Sequence, residues 1–472
     1  MAVARKIAYN VAIGSISKVF STILALISIG FITRYLGKEG FGNYATVLAF
    51  LSFFAAIADL GLYSIVTREI SRPKANEARI IGNIFSLRVF ASLVVLIISP
   101  AVVWFLDYPI EVKRGILIAV ASFVFSSSYQ VLNGVFQKNL AMDKVAIGEL
   151  IGKAIQVAVV ILAIQLKLGF DWIIGALFLN MLANFLIIFF WSRKFLPFKM
   201  EFDFKYWKLF LKESFSVGVG AIIVFIYFKM DTIMLSWMKT SADVGIYNVA
   251  YKVLENLTFF PAMIIGLILP IISNTILHDN ARFRDISNKT FKFFVLVTTP
   301  LVIGTLFLAK DIVGLIGGGQ FFESAVVLKI LVFAIVAIFF GTFFINILIA
   351  ANLQKKLMPI YGAAAVFNVL ANLIFIPKFS YIAAANISVI TETLVAILAF
   401  TLVYKKIKYK PSLDKKIGIV FSGIFMALFL TAFNGFNFFV LLIGSSAIYF
   451  YFLWIFDAVK TTEITSLFNK EA

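Results

Sequence analysis

Apolar stretches of about 20 residues or more, separated by short polar connections, follow one another along almost the whole chain. A helix needs about 20 such residues to cross the hydrocarbon core of a bilayer. Fourteen stretches meet that need: 7–32, 42–65, 80–104, 113–136, 145–166, 170–191, 212–237, 244–272, 289–309, 325–351, 358–376, 381–403, 417–433 and 437–457. The pattern predicts an all-α polytopic membrane protein of about fourteen transmembrane helices. Asn434-Gly435 and Asn437 divide the last two spans. Some spans are expected to be split by Pro, notably at Pro261 and Pro300, since Pro is tolerated in membrane helices where neighbours satisfy the freed backbone groups. The first stretch is too long for a secretory h-region, lacks a small-residue cleavage site and carries Lys18 in its interior, so it reads as a span and not as a cleavable signal.

The pattern also repeats. Gly42-Asn43-Tyr44-Ala45 opens span 2, and Gly245-Ile246-Tyr247-Asn248 opens span 8, 203 residues later. Asn133 and Asn139-Leu140 close span 4, and Asn346 and Asn352-Leu353 close span 10, 213 residues later. Two six-helix lobes are therefore expected, an N-terminal one over 1–200 and a C-terminal one over 201–410, with two accessory helices in 411–472. Six is even, so both halves enter the membrane with the same polarity. Such parallel repeats are related by an axis along the membrane normal and suit a central cavity.

Composition removes the main alternatives. Hydrophobic residues make up 62% and charged residues 14%, against roughly 45–50% and about 25% in soluble domains. A soluble enzyme, a secreted disulfide scaffold and a disordered tail protein are all excluded. The net charge of +18 would suggest nucleic acid on a soluble protein. Here it follows the membrane: with the N-terminus in the cytoplasm, one set of alternate connections and the two termini hold 28 Lys and Arg, and the other set holds 8. Cytoplasmic connections carry the excess, so both termini are expected in the cytoplasm of a cell-membrane protein, with no nucleic-acid partner. The basic segment 192–212, which interleaves Lys and Arg with Phe and Trp207, reads as an amphipathic stretch on the inner leaflet.

Bond-making chemistry has few candidates. There is no Cys, and the single His278 stands in a connection beside Asp279. The run Gly314-Leu315-Ile316-Gly317-Gly318-Gly319 lacks the Gly-Lys-Ser/Thr of a phosphate-binding loop. No cofactor, metal or nucleotide is expected, and no enzyme activity. The informative residues are the charges inside spans, which usually face a cavity or a partner. Lys18, Arg88, Lys153, Lys229 and Lys252 are candidates for a cationic, substrate-binding cavity; Asp59, Asp231, Glu255 and Glu392 are coupling or structural acids. The bland alternatives are pairing at helical spacing, for Glu149 with Lys153 and Lys252 with Glu255, and snorkelling of Lys329 or Arg88 to the headgroups. Asn180 with Asn184, and Asn368 with Asn372, share helix faces and read as interhelical glue. A cavity lined with Lys and Arg suits an anionic cargo such as a diphosphate, which ammonium and guanidinium groups bind through charge-assisted hydrogen bonds. The tail of a lipid-linked diphosphate can stay in the bilayer while its head crosses.

Four stretches carry a resemblance to a known family. They are Arg34-Tyr35-Leu36-Gly37 through Phe41-Gly42-Asn43-Tyr44; Asp59-Leu60-Gly61-Leu62 followed by Arg68-Glu69-Ile70-Ser71-Arg72; Lys212-Glu213-Ser214 with Asp231 and Val244-Gly245-Ile246-Tyr247 and Ala250; and Gly319-Gln320-Phe321-Phe322 with Leu328 through Leu331. In order and spacing they resemble the Wzx-type polysaccharide transporters, within the wider group of multidrug, oligosaccharidyl-lipid and polysaccharide exporters. The resemblance implies two six-helix lobes around a central cationic cavity, alternating access, and flipping of polyprenyl-diphosphate-linked saccharide from the inner to the outer leaflet. A departure occurs at Tyr381-Ile382-Ala383-Ala384-Ala385, where the family often has Gly at the position of Ala383. Partners are then a lipid-linked saccharide and membrane lipids, and the protein is expected to be a monomer. The alternative is an ion-coupled exporter of small cations from the same group, for which Asp59 and Glu392 would be the coupling acids. A membrane enzyme acting on the same lipids would need a large outer loop, and no outer connection exceeds about twenty residues.

Overall fold

A computed structural model describes residues 2–59 and 61–459; Leu60 of the second resemblance motif and residues 460–472 of the accessory segment lie outside the described residues. Within them the chain is almost entirely helical, and eleven helices are long and apolar enough to cross a membrane. The protein is a multi-pass membrane protein. Two helices are far longer than one crossing: α1 (Ala2–Asp59) has 58 residues and α12 (Leu357–Ile407) has 51. At 1.5 Å per residue α1 would run about 87 Å as a straight rod, against a hydrocarbon core of about 30 Å. Each is broken inside. Gly37 takes φ 69° and ψ −172° in α1, a conformation almost confined to glycine. Ser380 takes φ 49° and ψ −134° in α12, three residues after Pro377. These breaks fall in the expected connections 1 and 11.

The other boundaries follow the predicted pattern. Helices α3 (Glu77–Trp104), α4 (Ile110–Lys138), α5 (Met142–Gln165) and α6 (Phe170–Phe195) coincide with spans 3 to 6, and α2 (Leu62–Ile70) completes span 2. Span 8 is divided into α8 (Ser241–Leu257) and α9 (Phe259–His278); Pro261 lies in the first turn of α9, where its missing N–H costs nothing. Spans 9 and 10 become α10 (Asn280–Gly317) and α11 (Ser324–Ala350). The accessory pair is α13 (Lys416–Ala432) and α14 (Phe438–Ile455), capped by the Asn437 side chain, which accepts from Phe439 N at 2.9 Å.

The repeat ends are built alike. Leu140 and Asn352 both take left-handed φ, 51° and 58°. The next residue in each case donates five residues back: Ala141 N to Phe136 O at 2.9 Å, and Leu353 N to Leu348 O at 2.8 Å. This is one helix-terminating motif used twice. The structural offset, 140 to 352, is one residue less than the match of the Asn-Leu pairs suggests.

The chain gathers into two compact units. One comprises residues up to Asn248, with Ile316–Gln320 and Asn372–Tyr381. One of its apolar clusters draws on α2, α3, α4 and α6 together with Phe198, Trp207 and Phe210. The basic segment after α6 differs from its expected form. Residues 196–203 are extended and strapped to α3: Glu201 N donates to Gly82 O and to Ser86 Oγ, Asp203 N donates to Asn83 Oδ1, and Arg79 pairs with Asp203 at 3.0 Å. Helix α7 (Phe204–Met238) then starts at once and runs directly into span 7. The N–H groups of Tyr206 and Lys205, with Arg79, hold the Asp203 carboxyl below its usual range.

The second unit comprises Val249–Leu315, Phe321–Ala371 and the residues from Ile382 on. Its α10, α13 and α14 share a core around Leu308, Met426 and Tyr449. The hydroxyl of buried Tyr449 donates to Leu296 O at 3.1 Å, and Phe425 stacks on Phe452 at 3.9 Å.

Candidate functional site

Within the first unit, the buried charges are answered by neighbours. Arg88, 1% exposed on α3, pairs with Asp59 at the end of α1. Its Nε has no partner, so the buried guanidinium depends on that one carboxylate. Asp59 is thus not an acid free for ion coupling, as the exporter alternative would require. Asp231 on α7 is 2% exposed and accepts from Tyr247 Oη at 3.1 Å and Asn372 Nδ2 at 2.8 Å. This brings together the repeated Tyr of α8, one of the two face-sharing Asn of α12, and an acid singled out by its depth. Lys229 is half-buried, two positions before Asp231. Lys153 donates to Gln156 Oε1 at 3.0 Å, which also accepts from Asn180 Nδ2 at 2.9 Å; Asn184 in turn donates to Asn180 at 2.8 Å. Gly152 makes room for this amide chain, since a Cβ there would lie 2.6 Å from both Asn side chains. Lys18 is exposed on α1 and interacts electrostatically with Glu149 of α5.

In the second unit, Lys252 and Glu255 pair at 2.7 Å across one turn of α8, as their spacing allows. Glu392 is buried and interacts electrostatically with Tyr361. Asn368 donates to Thr391 at 3.4 Å. Among the described residues, no cluster of three His, Cys, Asp or Glu could hold a metal.

A second constellation was not among the sequence candidates. A Cβ on Gly42 would fall onto the carbonyl of Ser241, and a Cβ on Gly245 would fall onto the carbonyl of Lys38. Residues 38 and 42 correspond to 241 and 245 at the repeat offset of 203, so the contact is reciprocal. Reciprocity of this kind is the mark of a two-fold relation. The surrounding bonds obey it as well. Thr33 Oγ1 donates to Ile316 O at 2.9 Å, while Ser236, its repeat mate, shares a hydrogen bond with Tyr108 Oη at 2.9 Å. Gly169 N donates to Tyr35 Oη at 3.2 Å, while Lys239 Nζ donates to Pro377 O at 2.8 Å. Arg34 also donates to Ile316 O, and Gln320 Nε2 to Thr33 O at 3.0 Å. The Gly-rich run, with Gly318 at φ 78°, is therefore a docking turn for the break at Gly37. These residues fall in all six odd-numbered connections between the first twelve spans expected from the sequence. The signal was present in the sequence as the repeated Gly-x-Tyr and the glycine run; the close approach that demands glycine was not.

Elsewhere in the same unit, Arg68 of α2 bonds to both Glu69 and Glu213 of α7, and Arg72 pairs with Glu69 at 2.9 Å. Arg68 is half-exposed, so this bridge lies in solvent. The clustered carboxylates hold the Arg68 guanidinium above its ordinary value, against a partial desolvation that acts the other way.

Comparison with known proteins agrees with this architecture. Residues 7–276 match the family described as "Polysaccharide biosynthesis protein". A protein of Shigella flexneri named as an O-antigen transporter is 25% identical over 296 residues, covering 60% of this chain and 70% of its own. A protein of Haloferax volcanii named as a low-salt glycan biosynthesis flippase, Agl15, is 24% identical over 400 residues, covering 78% of each chain. Among solved structures, the lipid II flippase MurJ in an inward closed conformation superposes with a TM-score of 0.78 at 16% identity, covering 96% of this chain and 99% of that one. At that identity the likeness speaks to the fold alone.

Proposed function

Because the chain belongs to the polysaccharide biosynthesis protein family, we propose that it is a flippase for polyprenyl-(di)phosphate-linked oligosaccharide. It carries this lipid from the inner to the outer leaflet by alternating access, for assembly of cell-surface polysaccharide or glycan. The observation that carries the reading is the match, over 70% and 78% of their lengths, to two proteins named as an O-antigen transporter and a glycan flippase. The reciprocal contact of the Gly42 and Gly245 turns supports the alternating-access part. It joins the two repeats at one end through surfaces that can separate as a unit.

In this reading the chain crosses the membrane fourteen times. α1 and α12 each cross twice around their breaks, α8 and α9 form one crossing, and α13 crosses despite its 17 residues. Residues 1–200 and 201–410 are the two lobes and 411–472 the accessory pair. Both termini are cytoplasmic, and the protein acts as a monomer without catalysis of its own. Lys18, Lys153 and Lys229 are the cations proposed for the interior, while Arg88 and Lys252 are answered by Asp59 and Glu255 and serve there as ion pairs. Asp231, Glu255 and Glu392 are the acids that remain for coupling or for holding those cations.

A deletion strain tests the reading directly. Its lipid extract, analysed by mass spectrometry, should accumulate phosphate- or diphosphate-linked saccharide that an impermeant sugar-modifying reagent cannot reach in intact cells. Unchanged lipid-linked sugars, normally exposed outside, together with a gain in drug sensitivity, would favour a drug exporter. Replacing Lys18 and Lys229 together by Ala should abolish transport while the protein keeps its thermal stability; full transport by that double variant would refute the cationic-cavity assignment.

A further inference from the structure

The second unit contains a cavity of about 550 Å³ between α10, α11 and the second half of α12. Pockets that enclose one small molecule have volumes of roughly 300–1,000 Å³. Its walls are the rings of Phe291, Phe340, Phe344 and Phe400, with Ala337 and Ala396 between them. The rings already pack on one another, Phe291 on Phe340 at 5.0 Å and Phe344 on Phe400 at 5.1 Å. The space persists because small side chains, Ala337 and Ala396, face it between the rings. Two lining residues, Phe333 at 47% and Ile397 at 55% exposure, stand on the outside of their helices. On helices that cross a bilayer such side chains meet hydrocarbon, so the cavity opens toward lipid.

One end differs. Lys410 and Pro411 line it, in the connection after α12 that also carries Lys408 and Lys415, flanked by Lys405 and Lys406 in the last turn of α12 and Lys416 at the start of α13, against a single acid, Asp414. That connection is fastened to α10 on both sides of Lys410. Arg284 donates to Lys408 O at 2.7 Å, the buried Tyr409 hydroxyl donates to Asn288 Oδ1 at 2.9 Å, and Ser412 N donates to the same oxygen at 3.0 Å. An apolar cavity capped by a fixed cation has the polarity of an amphiphile. Basic pockets beside membrane helices on the cytoplasmic side bind anionic headgroups.

We propose that this cavity is a binding site for a resident anionic membrane lipid, with one hydrocarbon chain among the phenylalanines and its phosphate at Lys410. The site is separate from the cationic candidates of the first unit, and the proposal stands or falls independently of the flippase reading. Its role is to hold α10, α11 and α12 together where their own side chains leave space.

The test is native mass spectrometry of the purified full chain after exchange through vesicles of phosphatidylglycerol or of phosphatidylcholine. One phosphatidylglycerol per chain should be retained, and phosphatidylcholine should not. Thr393→Trp, at an exposed lining position, should fill the cavity and abolish retention. Lys410→Glu, at an exposed position in the connection, should lower it at least about tenfold with no loss of fold. Equal retention of the two lipids, or full retention by Thr393→Trp, would overturn the proposal. Displacement of phosphatidylglycerol by an equimolar amount of undecaprenyl phosphate would also overturn it, because the site would then belong to the transported lipid.

Discussion

Among the described residues Arg88 is the largest side chain that is buried completely, and the Asp59 carboxylate answers its charge. Removing one partner of a buried ion pair typically costs about 3–5 kcal/mol, because the other is left uncompensated. Asp59 is about one-third exposed, which places this pair at the lower end of that range. Asp59→Asn should therefore lower the melting temperature in detergent markedly. The double variant Asp59→Asn with Arg88→Met should recover most of the loss, because it removes both charges. A double variant no more stable than Asp59→Asn would show that Arg88 has other essential partners. The sequence marked both residues as costly but could not pair them, since 29 positions and a helix break separate them and no periodicity connects such sites. Where partners share one helix, as Lys252 and Glu255 do, spacing alone was enough. Asp231 is the intermediate case. Its depth was legible, but its donors Tyr247 and Asn372 come from helices that only the fold brings together.

At the scale of elements, the hydropathy pattern located nearly every helix, because a bilayer demands the same length and polarity of each crossing. Pro261 marked the division of span 8, which the structure makes between α8 and α9, whereas Pro300 splits nothing and stays inside the continuous α10; the strap after α6 carried no such signal. The strap carries the alternation of Lys and aromatics expected of an amphipathic helix, yet its backbone donors pair with α3 instead. The glycine contact is the element-scale feature with the clearest consequence. Gly42→Val places branched carbon where the Ser241 carbonyl lies, so the two turns cannot meet. The chain has no native Cys, which makes Thr33→Cys a clean reporter. Thr33 is fully buried beside Ile316. In an otherwise unaltered chain that thiol should react slowly with an impermeant maleimide, and Gly42→Val should speed labelling by about tenfold or more, the ratio set by a shift of about 1.4 kcal/mol in a closed–open equilibrium. Unchanged labelling would mean that these turns stay joined by other contacts. The solvent-exposed bridge of Arg68 with Glu213 should behave differently. An exposed pair is worth about 0–1 kcal/mol, so Arg68→Ala should leave Thr33→Cys labelling unchanged and alter stability by no more than that.

For the whole molecule, the distribution of cations and the glycine seam bear on the same question. The six connections that meet around Gly42 and Gly245 belong to the set holding only 8 of the 42 Lys and Arg. The positive-inside rule would put that set outside the cell, and the joined turns at the outer end. With that orientation, a carrier of the proposed kind opens at the other end to admit its cargo, where the exposed pairs of Arg68 with Glu213 and of Arg79 with Asp203 are of the kind that costs little to break. Single cysteines decide the orientation. Lys167→Cys, in connection 5, should react with an impermeant maleimide on intact cells. Lys355→Cys, in connection 10, should react only after permeabilisation. In the fourteen-span reading spans 6 to 10 separate these residues, and one span miscounted among those five would place both on the same side. Labelling of both in intact cells would therefore refute the fourteen-span topology, while an inverted pattern would keep the count and turn the glycine seam into a cytoplasmic gate.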